Sequence, residues 1–170
     1  MKIDLKSLET HLKKEVLFHF EEPGNDELLR EIGGKFLELI KVDLVVHNTG
    51  KIFEINGSIN TVLQLYCSRC IDEIPYPINT DFYVTMIDSS YENEFKDRDF
   101  IIIKENEVDI LPYIDGVIYS EIPLVPLCSD NCKGLCPICG TNKNLSQCHC
   151  KKDNIDPRWE KLKDFNQGRR

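Results

Sequence analysis

Eight cysteines fall into four close pairs: Cys67-x-x-Cys70, Cys128-x-x-x-Cys132, Cys136-x-x-Cys139 and Cys148-x-Cys150. No other feature constrains the chain as strongly. A spacing of one to three residues lets a single tight turn aim two thiolates at one ion, and a tetrahedral ion takes four ligands. Four pairs therefore make two four-thiolate sites. The stretch "CKGLCPICGTNKNLSQCHC", residues 132–150, holds five cysteines, one more than a single ion needs. Cys148 and Cys150 are the only pair downstream, and "CPICG" is a turn with Gly140 placed to let backbone amides face the sulfurs. We assign Cys136, Cys139, Cys148 and Cys150 to one ion. Cys132 is left over, and elimination gives it Cys128 and the distant Cys67 and Cys70 as partners. A metal there closes a loop of nearly sixty residues and straps the C-terminal segment to whatever precedes it. The alternative for Cys67 and Cys70 is a pair of buried, unligated thiols.

At 170 residues and 41% hydrophobic content, the chain has material for one main core and a small metal-organised lobe. The expected division is a β-rich domain over residues 1–127, with a cysteine-rich segment and basic tail over residues 128–170 packed on it. "MKIDLKSLETHL" lacks the apolar run of a secretory signal. No stretch approaches the roughly 20 apolar residues of a membrane span. A cytoplasmic protein without a membrane partner is expected. In a reducing compartment the paired cysteines favour metal thiolates over disulfides.

The formal charge of −8 argues against nonspecific coating of nucleic acid. Residues 151–170, however, hold seven basic and four acidic side chains, a net of +3, which leaves −11 for the rest. Lys133, Lys143, Lys151, Lys152, Arg158, Lys161 and Lys163 surround the last cysteine pairs, and Arg69 sits inside the first. Contact with a polyanion is expected at this end, against the plainer reading of a solvated tail.

Apolar residues alternate at Ile40, Val42, Leu44 and Val46, at Phe53, Ile55, Ile59, Leu63 and Leu65, and at Tyr76, Ile78, Phe82, Val84 and Met86. This is strand periodicity. "NTG" at residues 48–50 makes a turn, Gly57 reads as a bulge or bend, and the first cysteine pair lies at a strand end. Val16, Phe18 and Phe20 add a strand, and residues 27–36 a short helix or loop. Residues 88–109 hold eight acids and three bases and read as an exposed loop around the short strand "DFIIIK". Asp109 is placed to cap a helix through Ile110, Ile114 and Ile118 that stops at "EIPLVP". The fold class is α+β: an antiparallel β-meander or partly closed sheet, a few short helices and a C-terminal zinc-knuckle segment.

"LYCSRCIDEIPYPI", "EIPLVPLCSDNCKGLCPICGTNKNLSQCHC" and the closing "DPRWEKL" together resemble the YceD family, over essentially the whole chain. The resemblance implies a role in accumulation of large-subunit (23S) ribosomal RNA and so in ribosome biogenesis. The implied partner is ribosomal RNA, or a ribosomal or assembly protein of the large subunit. Some members keep only the first cysteine pair with a Cys or His pair at the Pro-Leu-Cys position, which fits two separate sites.

Catalytic readings fare worse. His19-Phe20-Glu21 matches half of the zinc deaminase signature, but Cys136 follows Leu135 rather than proline and His19 lies in a strand pattern. A thioredoxin-like Cys67-x-x-Cys70 needs a helix N-terminus, and strands flank this pair. Four thiolates leave no coordination position for a reacting water. His149 is a substitute ligand at most. The expected protein is a non-catalytic factor with two zinc ions and no small-molecule substrate; the alternative is a thiol-based zinc reservoir or redox sensor.

Overall fold

The computed structural model describes residues 1–4, 15–50, 52–88, 100–103, 107–150 and 158. Its frame is a sheet with strand order β2 (Glu15–Glu22), β4 (Ile40–Asn48), β5 (Ile52–Tyr66), β6 (Glu73–Asp88), β7 (Phe100–Ile103). The two-residue strand β3 (Lys35–Phe36) pairs separately with β5. Alternation explains the long strands. In β4, Ile40, Val42, Leu44 and Val46 are buried while Lys41 and Asp43 face outward. The antiparallel register sets Val46 opposite Ile55, and Ile55 opposite Val84, so the apolar rows stack on one face. Each such side chain contributes about 1.5–3 kcal/mol when fully buried. The turn after β4 is closed by Asn48, whose Oδ1 accepts the Gly50 N–H at 2.8 Å.

A second, two-stranded ladder joins β1 (Lys2–Asp4) to β8 (Glu107–Asp109). Helix α1 (Leu111–Glu121) follows at once, and its buried Ile114 and Ile118 join Ile3, Val108 and Ile110 in the same core as the sheet. Asp109 accepts the Leu111 N–H at 3.0 Å from one residue before the helix boundary, and the chain turns extended at Ile122, ahead of Pro123. A 3-10 helix (Asp26–Ile32) buries Leu29. The principal core cluster contains no cysteine. Among the described residues no helix is long and apolar enough to cross a membrane.

Three expectations change. β7 lies parallel to β6, Thr85 opposite Phe100, so the sheet is mixed rather than a purely antiparallel meander. A parallel neighbour needs a crossover of about a dozen residues, and residues 89–99 separate the two strands. The sheet is open among the described residues, with β2 and β7 at its ends, not partly closed. Finally, pairing runs unbroken through Gly57, so it is no bulge; Leu44 and Phe82 occupy the space where its side chain would lie.

Candidate metal centre

β5 and β6 are joined by the turn Cys67 to Asp72, closed by Ile71 N–H to the Cys67 carbonyl (2.8 Å) and Cys67 N–H to the Asp72 carbonyl (2.9 Å). Residues 136–141 repeat this pattern. Gly140 N–H donates to the Cys136 carbonyl at 2.9 Å, and Cys136 N–H to the Thr141 carbonyl at 2.8 Å. Both turns put the residue after the second cysteine in left-handed backbone, Ile71 at φ +64° and Gly140 at φ +72°. The chain therefore contains the same knuckle twice, although "CSRCI" carries a β-branched residue where "CPICG" carries glycine.

The first knuckle receives its partners from the segment after α1. Ser68 N–H donates to the Pro126 carbonyl at 2.8 Å, which brings Cys128 alongside, and a turn from Ser129 returns Cys132 to the same spot. Cys67, Cys70 and Cys132 are buried and Cys128 is exposed. The sulfurs of all four lie within 4.8 Å of one another, with Cys67 to Cys132 at 3.7 Å and Cys70 to Cys128 at 3.6 Å. Zinc–sulfur bonds of about 2.3 Å give a tetrahedron whose edges are about 3.8 Å, so the spacing suits an ion. A disulfide needs about 2.05 Å. Cys136, Cys139, Cys148 and Cys150 form a second group within the same 4.8 Å limit, with Cys139 and Cys150 exposed. The eight thiols thus assemble as the spacing argument divided them. His149 is exposed and belongs to neither group.

Backbone amides prepare both knuckles for negative sulfur. Burial opposes ionisation of Cys67, but the N–H groups of Cys128, Arg69 and Cys70 outweigh it and hold the thiol at about 6. The N–H groups of Cys139 and Ile138 bring Cys136 to about 6. The Asn144 side-chain amide lowers Cys132, and the Thr141 hydroxyl lowers Cys139. Cys70 is pushed up despite the Asp72 N–H, because burial and the neighbouring thiols disfavour a second charge.

The two groups interlock. Leu135 N–H donates to the Arg69 carbonyl at 3.0 Å, and Asn142 Nδ2 to Asp72 Oδ2 at 2.8 Å. Arg69, placed in the first turn as a candidate RNA contact, spends its Nη1 on the carbonyls of Asp130 (3.2 Å) and Cys132 (3.0 Å), bracing the chain between the ligands. Its roles for a thiolate or Asp72 do not materialise in these bonds. Leu127 and Leu135 pack on Cys67, Cys70 and Cys132 as a small apolar cluster of their own. Lys133 is exposed and Lys143 half-buried; Arg158 is exposed; Lys151, Lys152, Lys161 and Lys163 lie outside the described residues. Sequence reasoning missed Asn142 and Asn144. Two asparagines in one turn were the available signal, since this side chain is suited to holding backbone that no regular element holds.

His19, the other half-motif, is exposed on β2. Its Nδ1 lies 2.6 Å from Asp43 Oδ1 on the neighbouring strand, and Nε2 lies 3.5 Å from Glu21.

Comparison with known proteins gives a consistent picture. A maize protein described as large ribosomal RNA subunit accumulation protein YCED homolog 1, chloroplastic, is 29% identical over 147 residues, covering 69% of this chain and 50% of its own. The Arabidopsis thaliana protein of that description is 22% identical over 145 residues, covering 69% and 45%. Protein YlbN of Bacillus subtilis is 30% identical over 111 residues, covering 65% and 62%. The chain spans about half the length of the plant relatives. No solved structure matches it. The family model for large ribosomal RNA subunit accumulation protein YceD matches residues 55–166, a span that takes in all eight cysteines, and the chain belongs to the YceD family.

Proposed function

We propose that this protein is a non-catalytic, zinc-holding factor that supports accumulation of 23S ribosomal RNA and assembly of the large ribosomal subunit in the cytoplasm. The carrying observation is that the family match spans both four-thiol groups, the first of which joins the C-terminal segment to the end of the sheet. Soft thiolate donors in tetrahedral sets of four favour zinc, and a set closed by four sulfurs offers no site for a reacting water. Cys67, Cys70, Cys128 and Cys132 would hold one ion; Cys136, Cys139, Cys148 and Cys150 would hold the other. The role of the ions is to fix a surface that meets large-subunit ribosomal RNA or a large-subunit protein.

The test is depletion of the protein in its own cells, with the ratio of 23S to 16S ribosomal RNA as readout. We expect the ratio to fall, and to recover with the wild-type chain but not with Cys70→Ser. An unchanged ratio overturns the proposal. Elemental analysis should give two zinc ions per chain.

The exposure of Cys139 and Cys150 favours one competing reading, a redox sensor that releases zinc on oxidation. Loss of zinc at mild peroxide levels that leave 23S accumulation untouched would select it.

A further inference from the structure

We propose that Asn144 couples the two four-thiol sites, so that filling the second site strengthens metal binding at the first. The inference rests on the reading that both groups hold zinc. Asn144 lies in the chain between Cys139 and Cys148, inside the second site's own loop, yet its Nδ2 donates to Cys132 Sγ of the first site at 3.2 Å. Its Oδ1 accepts the Lys133 N–H at 2.8 Å. A flipped amide would set oxygen against sulfur and N–H against N–H, so these partners fix its orientation. The residue is held both from the second site's loop and from the chain around the first site. Its own N–H donates to Asn142 Oδ1 at 3.0 Å, and Lys143 N–H donates to the Gly134 carbonyl at 2.9 Å. Asn142 in turn donates from Nδ2 to Asp72 Oδ2, just past the first knuckle.

The physical consequence follows from charge. Four thiolates around a divalent ion leave two negative charges on sulfur, and an amide N–H aimed at one sulfur stabilises that excess without adding a charge of its own. With the second site empty, Asn144 is held against Cys132 by hydrogen bonds without the ion: those with Lys133 and Asn142, and those of Lys143 to Gly134 and Asn142 to Asp72. Ordering that loop is a cost which the second ion would meet in advance, and linkage makes the effect mutual. Outer partners of metal ligands typically alter affinity by about 10–100-fold.

The experiment titrates zinc into the full-length protein against a competing chelator. The amide resonances of Ile71 and Gly140, one in each knuckle, report the two sites separately. We expect Asn144→Ala to weaken the first site about 10–100-fold. The coupling being mutual, it should weaken the second by a similar factor while the first is filled, but leave the second within about twofold when Cys70→Ser disables the first. Cys139→Ser, which disables the second site, should weaken the first by a similar factor, and the two changes together should weaken it no further than either alone. Asn144→Asp, which keeps the acceptor for Lys133 but brings a carboxylate toward the sulfur, should weaken it more than alanine does. A first site unchanged in Asn144→Ala overturns the coupling, as do effects of Asn144→Ala and Cys139→Ser that simply add. Wild-type protein that takes up no zinc overturns the zinc-holding reading itself, an outcome distinct from two filled but independent sites.

Discussion

Ile71 occupies in the first knuckle the backbone position that Gly140 occupies in the second: φ is +64° against +72°, and each N–H closes on the carbonyl of the cysteine four residues before it. The left-handed region costs a residue with a Cβ about 1–2 kcal/mol, and more when it is β-branched. Ile71 is 63% exposed, so little burial offsets that cost. We expect Ile71→Gly to stabilise the protein by up to about 1 kcal/mol, the relief being partly cancelled by the freer unfolded chain. Chemical denaturation measures it. A loss of stability would show that the isoleucine side chain is held by contacts worth more than the strain.

Gly134 and Gly140 separate conformational strain from crowding. Both have positive φ, but a Cβ on Gly134 would stand 2.9 Å from the Arg69 carbonyl oxygen, whereas one on Gly140 meets nothing within 4 Å. Gly140→Ala should cost about 1–2 kcal/mol. Gly134→Ala should cost that and more, and should break the Leu135 to Arg69 hydrogen bond. Amide hydrogen exchange at Leu135 checks this: it should accelerate in Gly134→Ala and stay near wild type in Gly140→Ala.

The long strands and the pairing of cysteines were legible because both are local signals: period-two alternation, and spacings that fit one turn. What was not legible depends on distant chain. The parallel placement of β7 follows from which sheet edge is free after residues 89–99, and the β1 to β8 ladder joins segments more than a hundred residues apart. The first cysteine pair was legible from its spacing, but the left-handed close of its turn was not, because Ile71 stands where the second pair has glycine. Arg69 was legible as a charge but not as a brace, since its partners are backbone carbonyls that leave no trace in the sequence.

Asp43 sets the titration of His19. The 2.6 Å hydrogen bond and the charge of the carboxylate raise the imidazole above its ordinary 6.5, with Glu21 adding to the effect. A raised value in the folded state means that the pair contributes stability below pH 6.5, and that the contribution is lost as pH rises through the folded value. Asp43→Asn should bring His19 back toward 6.5, followed by NMR titration of the ring protons. An unmoved midpoint would mean that Asp43 does not hold the ring in solution.

The last prediction separates RNA from protein as the partner. Two zinc–thiolate sites at a formal −2 each would take the chain from −8 to −12, so basic residues matter only where they cluster. Lys143 is half-buried beside the second knuckle, and Lys151 and Lys152 follow Cys150 in sequence. Changing these three to glutamine should weaken association with large-subunit precursors while leaving zinc content intact. Each lost phosphate contact should also make the slope of log affinity against log salt shallower by about 0.7–0.9, and three contacts by about 2.1–2.7. Sedimentation with precursor particles across a range of salt measures both effects. If binding and slope are unchanged, RNA contact through this patch is excluded. The outward face of the sheet then becomes the site to test. There Leu17, Val45, Asn56 and Tyr83 form one cross-strand row, beside a second row that carries Asp43 and Asp81. A row that is apolar but for Asn56, next to acids, suits a basic protein segment rather than a phosphate backbone. Leu17→Ser with Tyr83→Ser should then be the change that releases the precursor.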